Sequence, residues 1–292
     1  MIRYDFPLYR PPAEADNVIV QATYGCSHNG CTFCSMYKSK RYVARSPEAV
    51  FREIDALAQA APDARRVFLA DGDALALPTA HLLELLAYLK GAFPKLGRVS
   101  SYASAQNLLG KSEEALQQLR DAGLTLLYYG IESGNDAILQ RVNKGVNASE
   151  IVASLQRAEA AGMKLSATVI LGIGGTERSE AHIRDTAALL NAVRVHYLST
   201  LQLGLDDDAE ETFLKRFDAF TIPGDRELLG EQRRFLELLD PQNKVIFRSN
   251  HASNALHLAG TLPRDAAALI AQIDAALVEG ERAFVPKCFR GF

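Results

Sequence analysis

The stretch "YGCSHNGCTFCSMYKSKRY", residues 24–42, decides how the rest of this chain is read. It follows the short β-branched run NVIVQAT (17–23) and is therefore expected to be the loop leaving a first strand. The loop gathers Cys26, Cys31 and Cys34, three of the four cysteines in a chain of 292 residues. The fourth, Cys288, lies near the C-terminus. In a reducing compartment, clustered thiols are metal ligands or redox groups rather than disulfides. The spacing here is C-x4-C-x2-C. Three thiolates suit a four-iron cluster with one iron left open to a small molecule. A structural zinc site wants four ligands, usually in paired knuckles, and would need His28 or Cys288 to complete it. A thiol redox loop or a chemically silent loop is the third alternative.

The bulk composition narrows the setting. Apolar residues make up 48% of the chain, enough for a sizeable core. A net charge of −3 gives no electrostatic case for binding nucleic acid or an anionic membrane. No run approaches the roughly 20 apolar residues of a membrane span. The N-terminal MIRYDFPLYRPP has no apolar core of signal-peptide length. A soluble cytoplasmic protein is expected.

Working outward, strand-like runs alternate with amphipathic stretches. The runs are NVIVQAT (17–23), RVFLADG (66–72), GRVSSYAS (97–104), TLLYYGIES (125–133), KLSATVILGIGG (164–175) and VHYLSTLQL (195–203). Helices are expected over 46–61, 78–93, 111–122, 136–160 with a break near Gly145, and 177–193. Ser46 followed by Pro47 reads as a helix start, and Gly123 as a stop. Repeated strand–helix alternation means a parallel sheet with helices outside. The first strand lacks a G-x-G-x-x-G turn, which argues against a dinucleotide fold. The unusual residues sit at the C-terminal ends of the runs, where barrel-type proteins keep their chemistry. The expected fold is α/β, a partial (β/α)6 TIM-like barrel over residues 1–204 with a C-terminal capping region over 205–292, both in one domain. That region is expected to hold an acidic helix start at DDDAEE (206–211), a helix near 226–239, a strand at KVIFRSN (244–250) and a final helix near 263–279.

The cysteine loop resembles the cluster-binding motif of the radical S-adenosylmethionine (radical SAM) superfamily, commonly C-x3-C-x-Φ-C with Φ aromatic. Phe33 stands at Φ, and the first gap is one residue longer. ADGDA (70–74) is similar in place to the superfamily's turn after strand two. YYGIESGNDAILQRVNKG (128–145) resembles the G-x-E-S-G segment of the branch that includes Elp3, MiaB and the coproporphyrinogen-oxidase-like enzymes. VILGIGGTE (169–177) is similar to that branch's G-x-I-x-G-x-x-E stretch.

The resemblance implies an open [4Fe–4S] cluster on Cys26, Cys31 and Cys34. It also implies S-adenosylmethionine, a 5′-deoxyadenosyl radical, and hydrogen abstraction from a small-molecule substrate. Phe33 is then expected beside the adenine. Asp71, Gly72 and Asp73 are expected at the methionine ammonium, with Glu132 at that ammonium or the ribose. Ser101 and Ser104 are expected to face the site, Gly172, Gly174 and Gly175 to admit the adenine, and Gln202 to meet adenine or substrate. RSNHASNALHL (248–258) offers Arg248, Asn250, His251, Ser253 and Asn254 to the substrate side. A plain turn is the alternative there, as it is for the DGD and GIGG turns. KSKRY (38–42) reads as a solvated basic loop or a docking point for an electron donor such as flavodoxin or ferredoxin. Tyr128 and Tyr129 are expected to put one ring on each sheet face. The rival function is a zinc-binding structural or interaction protein. Within the enzyme class, a tetrapyrrole, peptide or RNA substrate is the alternative. The chain shows no acetyltransferase domain, second cysteine set, added N-terminal domain or basic tail, so nucleic acid is disfavoured.

Overall fold

The structure is a computed structural model that describes residues 2–291, the side chains of Asp207 and Asp208 excepted. These two lie in the DDDAEE run, so what was expected of their side chains falls outside the described residues. The strands are β1 (Val18–Gln21), β2 (Thr23–Tyr24), β3 (Val43–Ala44), β4 (Arg66–Ala70), β5 (Arg98–Ala103), β6 (Leu124–Glu132), β7 (Lys164–Leu171), β8 (Tyr197–Gln202), β9 (Val245–Ser249) and β10 (Leu258–Leu262). The helices are α1 (Pro47–Ala60), α2 (Thr79–Ala92), α3 (Ala105–Leu109), α4 (Glu113–Asp121), α5 (Asp136–Arg141), α6 (Ala148–Ala160), α7 (Ser179–Asn191), α8 (Asp207–Leu214), α9 (Asp225–Leu238) and α10 (Ala266–Glu279).

Eight strands form one mostly parallel sheet in the order β1-β4-β5-β6-β7-β8-β9-β10. Each lies beside its predecessor in the chain, apart from the β2–β3 hairpin. This is the α/β class that the strand–helix alternation predicts. All six expected runs are strands. The expected 136–160 helix is two helices, α5 and α6, with Gly145 between them at φ +76°. Ser46 caps α1 by accepting from the Ala49 N–H, with Pro47 in the first turn. No helix among the described residues is long and apolar enough to cross a membrane.

The chain forms two compact units. The first holds residues up to Asn29, Ser35–Tyr129 and Ala153–Leu165. In it β1, β4 and β5 pair in parallel, Val18 opposite Val67 and Val67 opposite Val99. One sheet face carries Ile19, Phe68, Tyr102 and Tyr128, covered by Tyr4 and Leu8 from the N-terminal segment. The Phe68 and Tyr102 rings meet edge to face with centroids 5.1 Å apart. On the other face Tyr129 reaches α6, its hydroxyl 3.0 Å from that of Ser154. The tyrosine pair thus divides between the faces, as its alternation requires. The β2–β3 pair, Thr23 opposite Ala44 and Tyr24 opposite Val43, closes the base of the cysteine loop.

The second unit holds Gly30–Cys34, Gly130–Val152 and the chain from Ser166 onward. Here β9 pairs parallel to β8 and β10 antiparallel to β9. Its apolar cluster joins Ile138, Val142, Ile173, Phe213 and Phe217, with Phe33 packed against them.

Candidate functional site

The ADGDA turn grips Cys26 from both sides. Asp71 is fully buried at the end of β4. Its Oδ2 accepts from the Gly25 N–H and from the Lys40 ammonium, each at 3.0 Å, and its Oδ1 accepts from Gln21 Nε2 at 3.0 Å. Asp73 accepts from the Ser27 hydroxyl. The residues before and after Cys26 are therefore each tied to one carboxylate of the turn. Gly72 lies between them, where a Cβ would come within 2.6 Å of the Tyr37 ring and 3.0 Å of Cys26 Cβ. Only glycine lets the turn lie this close to Cys26.

This placement corrects the expectation that Asp71 faces the methionine ammonium, because its carboxylate is enclosed and already has a cation. Asp73 also has protein partners. Burial pushes its carboxyl above the ordinary range, opposed by hydrogen bonds from Ser27 and Asn107 and by the charges of Lys111 and His28. KSKRY is likewise not a uniformly solvated loop. Lys38 and Arg41 are exposed, but Lys40 is buried against Asp71 and also meets Asp5 Oδ2 at 3.0 Å.

The rest of the loop is held at separate points. Asn29 Nδ2 donates to the Tyr37 carbonyl at 2.6 Å and the Lys40 carbonyl at 3.2 Å. Farther on, the Thr32 N–H donates to the Val142 carbonyl at 3.0 Å, and Asn143 Nδ2 donates to the Gly30 carbonyl at 2.9 Å. Phe33 packs into the apolar cluster of the second unit. Cys26 belongs to the first unit, Cys31 and Cys34 to the second. All four cysteines are reduced, the three of the loop part-buried and Cys288 exposed. Among the described residues no three His, Cys, Asp or Glu side chains are already gathered as a metal site. Thr32 Oγ1, beside Cys31, is buried without a hydrogen-bond partner.

Glu132 ends β6 on a strained turn. The Ser133 N–H donates to the Ile131 carbonyl at 2.8 Å, closing a three-residue turn with Glu132 at φ +64°. A left-handed turn of this kind is rare for a residue with a side chain, costs on the order of 1–3 kcal/mol and marks functional positions. The Glu132 carboxylate meets Lys144 Nζ at 3.0 Å. The pair folds back over Gly130, where a Cβ would stand 2.0 Å from Glu132 Oε1.

The GIGG turn is covered by the chain itself. Gly172, at φ +80°, donates its N–H to Glu231 Oε1 at 2.6 Å. A Cβ there would meet Leu228 at 2.7 Å, and one on Gly174 would meet Ile138 at 3.0 Å. The strand-to-helix turn explains these glycines, and Gly172 has no open face toward a ligand. Gln202 is also committed, its Oε1 accepting from the Ala255 N–H at 3.1 Å.

Ser101 donates to the Leu69 carbonyl at 3.2 Å. Register puts Ser101 beside Leu127 and Ala103 beside Tyr129, on the face that meets α6. Ser101 is therefore turned from the Tyr102–Tyr128 face, which corrects its expected orientation. Ser104 caps α3 in a box with Asn107.

In the RSNH stretch, His251 Nδ1 lies 2.9 Å from Ser253 Oγ and accepts from the Ser253 N–H at 3.2 Å. The proton of the neutral ring is then on Nε2. Burial lowers its pKa below the ordinary histidine value. Asn250 is exposed. Asn254 joins β8 to β9 by donating to the Thr200 carbonyl and Ser249 Oγ at 2.8 and 2.7 Å. Arg248 is exposed and donates to the Phe247 carbonyl at 2.7 Å. The tail folds back, with the Val285 N–H on the Ala255 carbonyl at 2.7 Å, yet Cys288 stays at the surface.

Lys40, Lys144, His182 and Glu231 were not singled out from sequence. Lys144 follows the GIESG segment by a helix length, and Lys40 is hidden in a basic run.

Residues 20–190 match the Radical SAM superfamily. The chain belongs to that superfamily. A tRNA-2-methylthio-N(6)-dimethylallyladenosine synthase of Alkalilimnicola ehrlichii is 28% identical over 201 residues, covering 64% of this chain and 42% of that protein. The heme chaperone HemW of Bacillus subtilis is 25% identical over 133 residues, covering 45% and 35%. The chain thus spans less than half the length of these relatives. The radical SAM enzyme coproporphyrinogen III oxidase (HemN) of Escherichia coli has a similar fold, with a TM-score of 0.56 at 18% identity over 76% of this chain and 52% of that one.

The superfamily's cofactors are a [4Fe–4S] cluster and S-adenosylmethionine. The donors here suit the cluster. Three reduced thiols lie in one loop with a buried hydroxyl beside them whose hydrogen bond is unspent. Sulfur in such clusters accepts hydrogen bonds.

Proposed function

We propose that this chain is a radical SAM enzyme of the cytoplasm, with Cys26, Cys31 and Cys34 as cluster ligands and a small molecule as substrate. When bound, the cluster and S-adenosylmethionine supply a 5′-deoxyadenosyl radical that takes hydrogen from an unactivated carbon. The protein's share is orientation and exclusion of water. Asp71 and Asp73 fix the backbone on either side of Cys26. Glu132 receives the methionine ammonium or ribose hydroxyls, with the Lys144 ammonium giving way to the ligand. Phe33 lies beside the adenine, with Gly174 and Ser104 near it. His251 offers its Nε2–H to the substrate, with Asn250 beside it. Lys38 and Arg41 form the exposed basic ground for an acidic electron donor of the flavodoxin or ferredoxin kind. Residues 1–204 form the catalytic core and 205–292 its cap.

The observation that carries this reading is the clasp on Cys26. Two buried carboxylates, a buried lysine and a glycine under steric demand all hold one cysteine. A silent loop has no use for that outlay of buried charge.

Anaerobically reconstituted protein is expected to contain four irons and four sulfides per chain and, with dithionite, to cleave S-adenosylmethionine to 5′-deoxyadenosine. Cys31→Ala loses both properties. Retention of cluster and cleavage by Cys31→Ala would overturn the ligand set, and bound zinc in place of iron would overturn the enzyme.

A further inference from the structure

One helix holds the Glu132 turn from behind. His182, Asp185 and Thr186 lie at i, i+3 and i+4 on α7, hence on one side of it. Thr186 Oγ1 takes the Gly134 N–H at 2.8 Å and gives its own proton to the His182 carbonyl at 2.5 Å. Asp185 Oδ2 takes Asn135 Nδ2 at 2.6 Å. The approach is close, since a Cβ on Gly134 would stand 2.4 Å from the Asp185 carbonyl oxygen.

The His182 ring is fully buried, and its hydrogen bonds have a fixed direction. Nε2 lies 3.1 Å from the Ile170 carbonyl, which only accepts, so Nε2 carries the proton. Nδ1 is then the acceptor, and the Ser133 hydroxyl donates to it at 2.8 Å. Ser133 Oγ in turn accepts from the Asn135 N–H at 3.1 Å. Ser133 directly follows the left-handed Glu132, and Ile170 lies two residues before the Gly172 turn. The imidazole therefore bridges the end of β6 to the end of β7. Glu231 extends the arrangement by taking the Gly172 N–H on one oxygen and the Ser179 hydroxyl at the start of α7 on the other.

We propose that His182 is a positioning residue, a neutral hydrogen-bond bridge from Ile170 to Ser133 that sets the angle at which Glu132 is presented to S-adenosylmethionine. This rests on the reading of Glu132 as a cofactor-binding group. Packing alone does not call for a histidine here. An apolar side chain would satisfy packing, whereas the bridge needs one donor and one acceptor on opposite sides of a ring.

The test is S-adenosylmethionine affinity by equilibrium dialysis on the reconstituted protein without reductant, beside iron and sulfide content and Tm. His182→Phe keeps an aromatic ring, somewhat larger than the imidazole, and loses both hydrogen bonds. Ser133→Ala removes the donor to Nδ1 and, with it, the acceptor of the Asn135 N–H. Each is expected to raise Kd about tenfold at unchanged cluster content, and the double variant to be no worse than His182→Phe, because both cut one bridge. His182→Asn, which keeps an acceptor toward Ser133 but loses the donor toward Ile170, restores one end of the bridge and is expected to fall between wild type and His182→Phe. A folded His182→Phe with lower Tm and wild-type Kd, or strictly additive effects in the double variant, would overturn the bridge. If His182→Phe fails to load a cluster, Ser133→Ala decides alone, with wild-type Kd refuting the bridge. Glu132→Gln separates the two levels. An unchanged Kd there refutes the role of Glu132 itself. A weakened Kd there with wild-type affinity in Ser133→Ala and His182→Phe refutes only the bridge.

Discussion

Lys40→Met should uncouple the cysteine loop from the sheet. The change keeps the aliphatic stem of the lysine and removes only the ammonium. Asp71 is then left with 0% exposure and no counter-charge, although the Gly25 N–H and Gln21 Nε2 still donate to it. Breaking a buried ion pair on one side costs about 3–5 kcal/mol. The two surviving donors to a charged acceptor keep the loss near the lower end, about 3 kcal/mol. At roughly 2–4 °C per kcal/mol for a chain somewhat shorter than this one, Tm falls by about 6–12 °C.

A surface pair makes the control. Lys95 meets Asp63 at 2.6 Å, but the two side chains are 56% and 79% exposed, so Lys95→Met costs under about 1 kcal/mol. Adding Asp71→Asn to Lys40→Met removes the stranded charge and recovers most of the loss. The assay is thermal unfolding under anaerobic conditions, with iron and sulfide per chain after reconstitution. Lys40→Met is expected to bind less iron, because the residue before Cys26 loses its fixed anchor. Refutation would be a Lys40→Met melt within about 1 kcal/mol of wild type, or a double variant no more stable than the single.

Gly130→Ala should be nearly neutral for stability but should weaken S-adenosylmethionine binding. The clash at 2.0 Å is with the flexible end of Glu132, so the carboxylate moves rather than the backbone; an unchanged dialysis Kd would exclude this. Glu231 has its pKa raised by burial to about 7. A carboxyl whose folded pKa exceeds its unfolded one contributes stability below the unfolded value and loses it as pH rises through the folded one. Glu231→Gln, which still accepts the Gly172 N–H, should therefore gain Tm relative to wild type between about pH 5 and 7, with a plateau above. His182, held neutral by burial with a pKa of about 4, does not titrate in that window; a pH-independent difference would refute the assignment. Thr32→Val should leave the cluster-free protein as stable or about 1 kcal/mol more so, since a buried unpartnered hydroxyl is lost. In the loaded protein, a Thr32 hydroxyl that donates to cluster sulfur would hold the reduction potential up, so its loss should lower the potential by roughly 40 mV. A redox titration followed by electron paramagnetic resonance reads this, and an upward shift would contradict it.

The alternation of apolar runs with helical stretches was legible because the strands carry at least one well-buried face and the helices one apolar side. The six strands follow from that alone. Gly145 marked the α5–α6 break through its left-handed backbone. The β2–β3 hairpin and α3 were not legible, as two-residue strands and a five-residue helix carry no period. β10, LAGTL, alternates weakly and takes its place by pairing with β9. At the site, the cysteine spacing and the GIESG segment could be read directly. The tasks of Asp71 and Lys40 could not, because residue type does not say whether a carboxylate meets a ligand or a lysine 31 positions away.

Charge explains why these two roles are divided. A cluster on the three thiolates would place anionic sulfur around Cys26. Two further carboxylates beside it are tolerable only if their charge is met by something else. Asp71 has Lys40 at 3.0 Å, and Asp73 has the Ser27 hydroxyl, the nearby charge of Lys111 and a pKa raised by burial. Neither has charge to spare for a cationic ligand. Glu132 differs, because its partner Lys144 is part-exposed and sits on the flexible end of a long side chain. Exchanging that ammonium for the ammonium of an amino acid would keep the charge balance, since one cation replaces another. On the proposed reading, the deeper pair, 5% and 0% exposed, fastens the loop, and the shallower one, 17% and 11% exposed, is the pair that would open to the ligand.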